Sequence, residues 1–149
     1  MIRLWPRIHD ITTDPADPPL FVSLLTRRGL KVSPPGYDGP EAAAQQRDAY
    51  PDIQPLVLGV PRAQAFDAAV AAARGMGWEM VASDPATGRI EAIATTLLLR
   101  FKDDVVIRVR GEGTGSRIDV RSKSRVGVGD LGTNARRIRR FLSALRLLV

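Results

Sequence analysis

The stretch RSKSRVGVGDLGTN, residues 121–134, holds three alternating cations, a run of small residues and a helix-start signal. In a strand, Arg121, Lys123 and Arg125 share one face, and Ser122 and Ser124 point to the other. Gly127, Gly129 and Gly132 allow positive φ and close approach of a ligand to the backbone. Asp130 is placed to cap a helix opening at Leu131, and exposed amides at such an opening attract anions. The candidate contacts for an anionic group are therefore Arg121, Lys123, Ser124, Arg125, Gly127, Gly129, Asn134 and Arg137. A phosphate, a carboxylate or a lipid head group has the required chemistry. A structural reading competes: Asp130 itself occupies the helix dipole, and Ser122, Ser124 and Asn134 satisfy loop amides.

The remaining titratable residues offer less. Asp103 and Asp104 are adjacent, so in a strand they face opposite ways and make no acid/base pair. They suit turn initiation and an ion pair with Arg110 or Arg121. Asp10, Asp14 and Asp17 lie among prolines, without the every-second-oxygen spacing of a calcium loop, and read as turn formers. His9 is the single histidine, and the sequence has no cysteine. Thiol catalysis, thiolate zinc sites and disulfides are excluded, and no metal or cofactor is expected. No glycine pattern of the dinucleotide or P-loop kind occurs.

These residues must be positioned by the elements around them. Residues 53–149 read as a β-α-β-β-β-β-α core. PRAQAFDAAVAAARGMG has Pro and Gly at the proper ends for a helix, with Phe66, Ala69, Val70 and Ala73 as its buried stripe. Ile90, Ala92 and Ala94 alternate, as do Val105, Ile107 and Val109, and Ile118 and Val120. Arg108, Arg110, Arg117, Asp119, Arg121 and Lys123 fall on the opposite, wet side. Leu131, Ala135, Ile138, Leu142 and Leu145 make the apolar stripe of a last helix. The predicted fold is α+β: an antiparallel sheet of four to five strands in two layers, packed by two helices in a helix-grip-like arrangement. Residues 1–52 are an irregular, Pro-rich N-terminal arm with one short helix from Pro40 to Tyr50.

Charge is unevenly placed. Residues 100–149 hold 13 Lys and Arg against 5 Asp and Glu, whereas residues 1–99 hold 9 against 11. Such a basic third permits contact with an anionic lipid, an acidic partner or nucleic acid. Nucleic acid is the least favoured, because no strand presents an exposed aromatic pair for base stacking. No apolar run approaches the ~18 residues of a membrane span.

Several strings carry a family likeness. FKDDVVIRV and DVRSKSRVGVGDLGTNARRI, together with YPDIQPL and GRIEAIATT, resemble the family of unknown function 1499 (DUF1499), from His9 to about Leu145. HDITTDPADPP is similar to the opening of a subfamily that carries membrane helices ahead of this domain. This chain lacks those helices, and also a cysteine that some relatives have. The family has no established activity. The resemblance implies a membrane-associated domain on the extracytoplasmic, periplasmic side.

The leading expectation is a non-enzymatic binding or scaffolding domain that recognises an anionic lipid head group or an acidic protein partner. Its binding should weaken with salt and on Arg125→Ala. One alternative is a small-molecule enzyme with a cleft between the last helix and the sheet, using Asp104 with Asp119 or Glu91. Another is a nucleic-acid binder acting through the basic third.

Overall fold

A computed structural model describes residues 6–27, 36–97, 99–127 and 130–149. Six strands form one antiparallel sheet among these residues: β1 (Asp10–Thr12), β2 (Leu56–Leu58), β3 (Glu79–Asp84), β4 (Arg89–Thr95), β5 (Lys102–Glu112) and β6 (Gly115–Ser124). The helices are α1 (Pro40–Ala49), α2 (Arg62–Gly75) and α3 (Thr133–Arg146), with a 3-10 helix at Ser23–Arg27. The chain is an α+β domain with α3 lying against the sheet, the helix-grip-like arrangement expected from the sequence.

Strand order is β1-β6-β5-β4-β3, and β2 also pairs with β6. The two short strands share one edge of β6: Ile11 sits opposite Ser122, and Val57 opposite Arg117. The sheet therefore has one strand more than the four to five expected, because Asp10–Thr12 of the arm joins it. Three residues flanked by prolines give no periodicity to read.

One face of the sheet is dry for the expected reason. Ile90, Val105, Ile107, Val109, Ile118 and Val120 pack against Ala69 and Ala73 of α2 and against Ile138, Phe141 and Leu145 of α3. Trp78 stacks on Phe141 with ring centroids 5.5 Å apart. Leu131 does not belong to the α3 stripe: it precedes the helix and is 68% exposed. Gly132, with φ of 80°, turns the chain, so the helix begins at Thr133. The inward turn that Leu131 was expected to fill is filled by Asn134.

The opposite face is not wet, which corrects the expectation for Arg121, Lys123 and their neighbours. Residues of the arm lie across it. Phe21 and Leu24 form a second small core with Ile93 and Val106. Glu91, on this face, is fully buried and accepts from the amides of Val22 (2.8 Å), Ser23 (2.8 Å) and Leu24 (3.2 Å). Those amides begin the 3-10 helix and have no partners within it. Residues 22–24 of the arm are thus held by one carboxylate projecting from β4.

Gly88 shows how closely the sheet is fitted. Its φ is +75°, and a Cβ there would collide with the carbonyl oxygen of Val109. Only glycine meets both demands.

Candidate functional site

The cations of the opening stretch are matched by carboxylates of the arm and the sheet. Arg121 is 1% exposed; its Nε and Nη2 donate to Asp10 at 2.9 and 2.8 Å, and its Nη1 to the Pro19 carbonyl at 3.0 Å. Its guanidinium lies 4.5 Å from the Phe21 ring centroid. Lys123, also buried, donates to Asp10 at 3.4 Å and to the Gly36 carbonyl at 2.9 Å. Arg125 grips buried Asp104 at 2.8–3.2 Å. Three residues predicted to face an anionic ligand therefore face arm and sheet carboxylates instead, since cations are buried only when paired.

The arm carboxylates are ion-pair partners rather than simple turn formers. Asp10 is a strand residue held by Arg121 and Lys123. Asp14 receives Arg108 at 3.0 Å and Arg117 at 3.1 Å, and it also closes a turn by accepting from the Asp17 amide at 3.1 Å. Asp119, fully buried, accepts from Thr13 Oγ1 at 2.6 Å and from Arg117 Nε at 2.8 Å. Tyr37, beside this network, has its phenol pushed up to about 12 by burial and by the charge of Asp10.

On the helix face lies a second polar group. Arg137 Nη1 donates to Asp103 at 2.7 Å, to the Asn134 side-chain oxygen at 2.9 Å and to Ser122 Oγ at 3.2 Å. Asn134 Nδ2 donates to Ser124 Oγ at 2.9 Å. Asp130 accepts from the amides of Gly132 (2.8 Å) and Asn134 (2.9 Å), so a carboxylate caps the helix opening, which lies at Thr133 rather than Leu131. Asp103 and Asp104 do face opposite ways, but their partners are Arg137 and Arg125 rather than Arg110 or Arg121. Gly129 lies outside the described residues.

A concave site lies elsewhere among the described residues, at the end of the sheet where β5 begins, β6 ends and α3 starts. It is a pocket of about 420 Å³ lined by the apolar side chains of Leu99, Phe101, Val126 and Leu131. Thr96, Asp103, Ser124, Gly127, Asp130 and Thr133 complete the wall. A turn closed by Thr96 holds one rim: its amide donates to the Phe101 carbonyl, and its Oγ1 accepts from the Phe101 amide, both at 2.8 Å. Leu131 of the wall and Arg100, between Leu99 and Phe101 of the wall, have positive φ, 54° and 57°. That conformation costs a non-glycine residue about 1–2 kcal/mol and tends to collect at functional sites. Sequence reasoning placed Ser124 and Gly127 in a site, and both line this pocket. It missed Leu99, Phe101, Val126 and Leu131, whose apolar character reads as ordinary core.

Burial pushes the Asp103 carboxyl above the usual carboxylate range, while the Arg137 guanidinium and a Ser124 hydrogen bond pull the other way. A raised folded value means that the folded state holds this proton more tightly than the unfolded chain. The contribution of Asp103 to stability must therefore fall as pH rises from the ordinary value of 3.8 through its folded value. Urea midpoints of wild type and Asp103→Asn across that window should show the wild-type advantage shrinking with rising pH. A difference that stays constant or grows contradicts the assignment.

The carboxylates named for an enzyme, Asp104, Asp119 and Glu91, are all buried and ion-paired on the face away from α3. The space between α3 and the sheet is filled by core side chains. Among the described residues no cluster of His, Cys, Asp and Glu has the makings of a metal site, and no helix is long and apolar enough to cross a membrane.

Fold and site together define a helix-grip-like α+β domain with an apolar end pocket and a salt-bridged covering arm. The chain belongs to the family described as "Protein of unknown function (DUF1499)", whose model matches residues 10–145. No curated protein matches it. Among solved structures, TTHA0849 from Thermus thermophilus aligns at 11% identity over 63% of this chain and 92% of its own, with a TM-score of 0.38. Ara h 8.0201 aligns at 13% identity over 64% and 94%, with a TM-score of 0.35.

Proposed function

We propose that the chain is a non-enzymatic binding domain acting at a membrane surface on the extracytoplasmic side, and that its ligand is an amphiphile with an apolar body and an anionic head. The observation that carries this reading is the 420 Å³ pocket with Leu99, Phe101, Val126 and Leu131 on its wall. That volume is in the range of small-molecule sites, roughly 300–1,000 Å³. Asp103 and Asp130 also face it, but each carboxylate is already engaged, by Arg137 and by helix amides. Arg100 and Lys102, which flank Phe101 of the pocket wall, are exposed and would be the cations nearest in sequence to an anionic head. The resemblance to chains with upstream membrane helices supports the location.

The test uses laurate, titrated into the full chain in competition with the fluorescent amphiphile 1-anilinonaphthalene-8-sulfonate. One saturable site is expected. Val126→Trp, which places a large ring in the pocket wall, should weaken laurate at least about tenfold, a loss of ~1.4 kcal/mol. Binding that is unsaturable, or unchanged in Val126→Trp, contradicts the reading.

One observation favours an enzyme instead: Asp103 is a carboxylate with a raised pKa facing a pocket. In that reading Asp103 is the acid/base group. Turnover of an ester or phosphoester panel that disappears in Asp103→Asn supports it; no turnover by wild type removes it.

A further inference from the structure

We infer that the pocket end of the molecule docks on an anionic bilayer, so that the pocket opens directly onto lipid. The inference rests on the amphiphile-binding reading and names the source of the ligand as the membrane itself. Among the described residues, five large apolar side chains are exposed at this end: Leu97 (95%), Leu99 (66%), Phe101 (48%), Val126 (41%) and Leu131 (68%). They come from two connections, β4 to β5 and β6 to α3, that meet around the pocket. The other exposed large apolar residues are dispersed over the arm, β2 and the chain end. A cluster of this kind on a soluble surface marks an interaction face.

Charge selects the occupant. Arg100 and Lys102, which flank Phe101 in sequence, are exposed, as is Arg136 in the first turn of α3. Arg136 is fixed close to the rim, with Nη1 donating to the Leu131 carbonyl at 3.0 Å. The connection from Thr96 to Phe101 has no acidic residue in its sequence. Asp130, on the other connection, is half-buried and accepts from the amides of Gly132 and Asn134. An apolar tip with exposed cations beside it in the chain, and no exposed acid among the described residues of its two connections, matches an acyl layer under anionic head groups. A second copy of the same surface would set these cations against each other.

Leu97 separates this inference from the pocket reading, because it is almost fully exposed and does not line the pocket. The full chain is floated with vesicles of phosphatidylcholine plus phosphatidylglycerol, and with phosphatidylcholine alone. Wild type should float with the mixed vesicles, and less so with added salt. Leu97→Glu should lower that partition at least about tenfold while circular dichroism and laurate affinity are unchanged. Arg100→Glu with Lys102→Glu should lower it and weaken the salt dependence.

Wild type that binds laurate yet stays in the aqueous fraction overturns the docking inference alone. Leu97→Glu floating like wild type does the same, as does a dimer that Leu97→Glu disperses while vesicles are ignored. Flotation without laurate binding removes the pocket reading, and with it the membrane as the source of its ligand.

Discussion

Asp10→Ala should lower folding stability by about 3–5 kcal/mol, because it removes one partner of a buried ion cluster. In thermal denaturation a chain of this size should then melt about 10–15 °C lower. Arg121 and Lys123 are each 1% exposed, and Asp10 is the carboxylate within reach of both. Without it, two charges remain in a space that water does not enter. Arg121 keeps the Pro19 carbonyl and the Phe21 ring, and Lys123 keeps the Gly36 carbonyl. Neutral acceptors of that kind recover only part of the loss. Asp10→Asn should lose most of the same stability, since the cost lies in charge and not in size. A change under about 1 kcal/mol, the scale of an exposed salt bridge, would show that these cations reach solvent.

Glu91→Ala should cost about 3 kcal/mol and release the arm, because three backbone N–H groups lose a charged acceptor. Phe21 and Leu24 are held over Ile93 and Val106 by the segment that Glu91 anchors. Limited proteolysis should then cut within residues 14–27 well before the core, and cooperative unfolding should shift to lower urea. Glu91→Gln, which keeps an acceptor oxygen, should fall between the two. Unchanged protection of the arm in Glu91→Ala would mean that the apolar contacts and the Asp10 and Asp14 ion pairs hold it without Glu91.

Both effects concern the part of the fold that sequence periodicity hides. Ile90, Val105, Ile107, Ile118 and Val120 alternate, and alternation alone places them in the core. Arg117, Asp119, Arg121 and Lys123 alternate equally well, and the same rule sends them to water. Their burial depends on Asp10 and Asp14, more than 100 residues away for Arg117 and Arg121. Spacing along the chain carries no record of such a pairing. Glu91 looked like a candidate acid for the same reason: a lone carboxylate in an apolar strand gives no sign that it caps a distant segment.

The site was legible only in part. Asp130 and the polar group of Ser122, Ser124 and Asn134 sit where the cap signal and the alternation put them, on the helix face. Leu131 was drawn into the helix stripe by its spacing to Ala135 and Ile138, although Gly132 delays the helix to Thr133. Leu99 and Phe101 read as core because composition cannot distinguish a pocket wall from a packed interior. A pocket is a property of what fails to meet, and that is decided by the turn at Thr96 and the helix start at Thr133 together.

The most direct test is an amide chemical-shift map of the ¹⁵N-labelled full chain titrated with laurate. The account predicts shifts at Thr96, Leu99, Phe101, Gly127 and Leu131, around the pocket, with Arg121 and Lys123 unmoved beneath the arm. Shifts concentrated at Arg121, Lys123 and Tyr37, with the pocket residues silent, would contradict it.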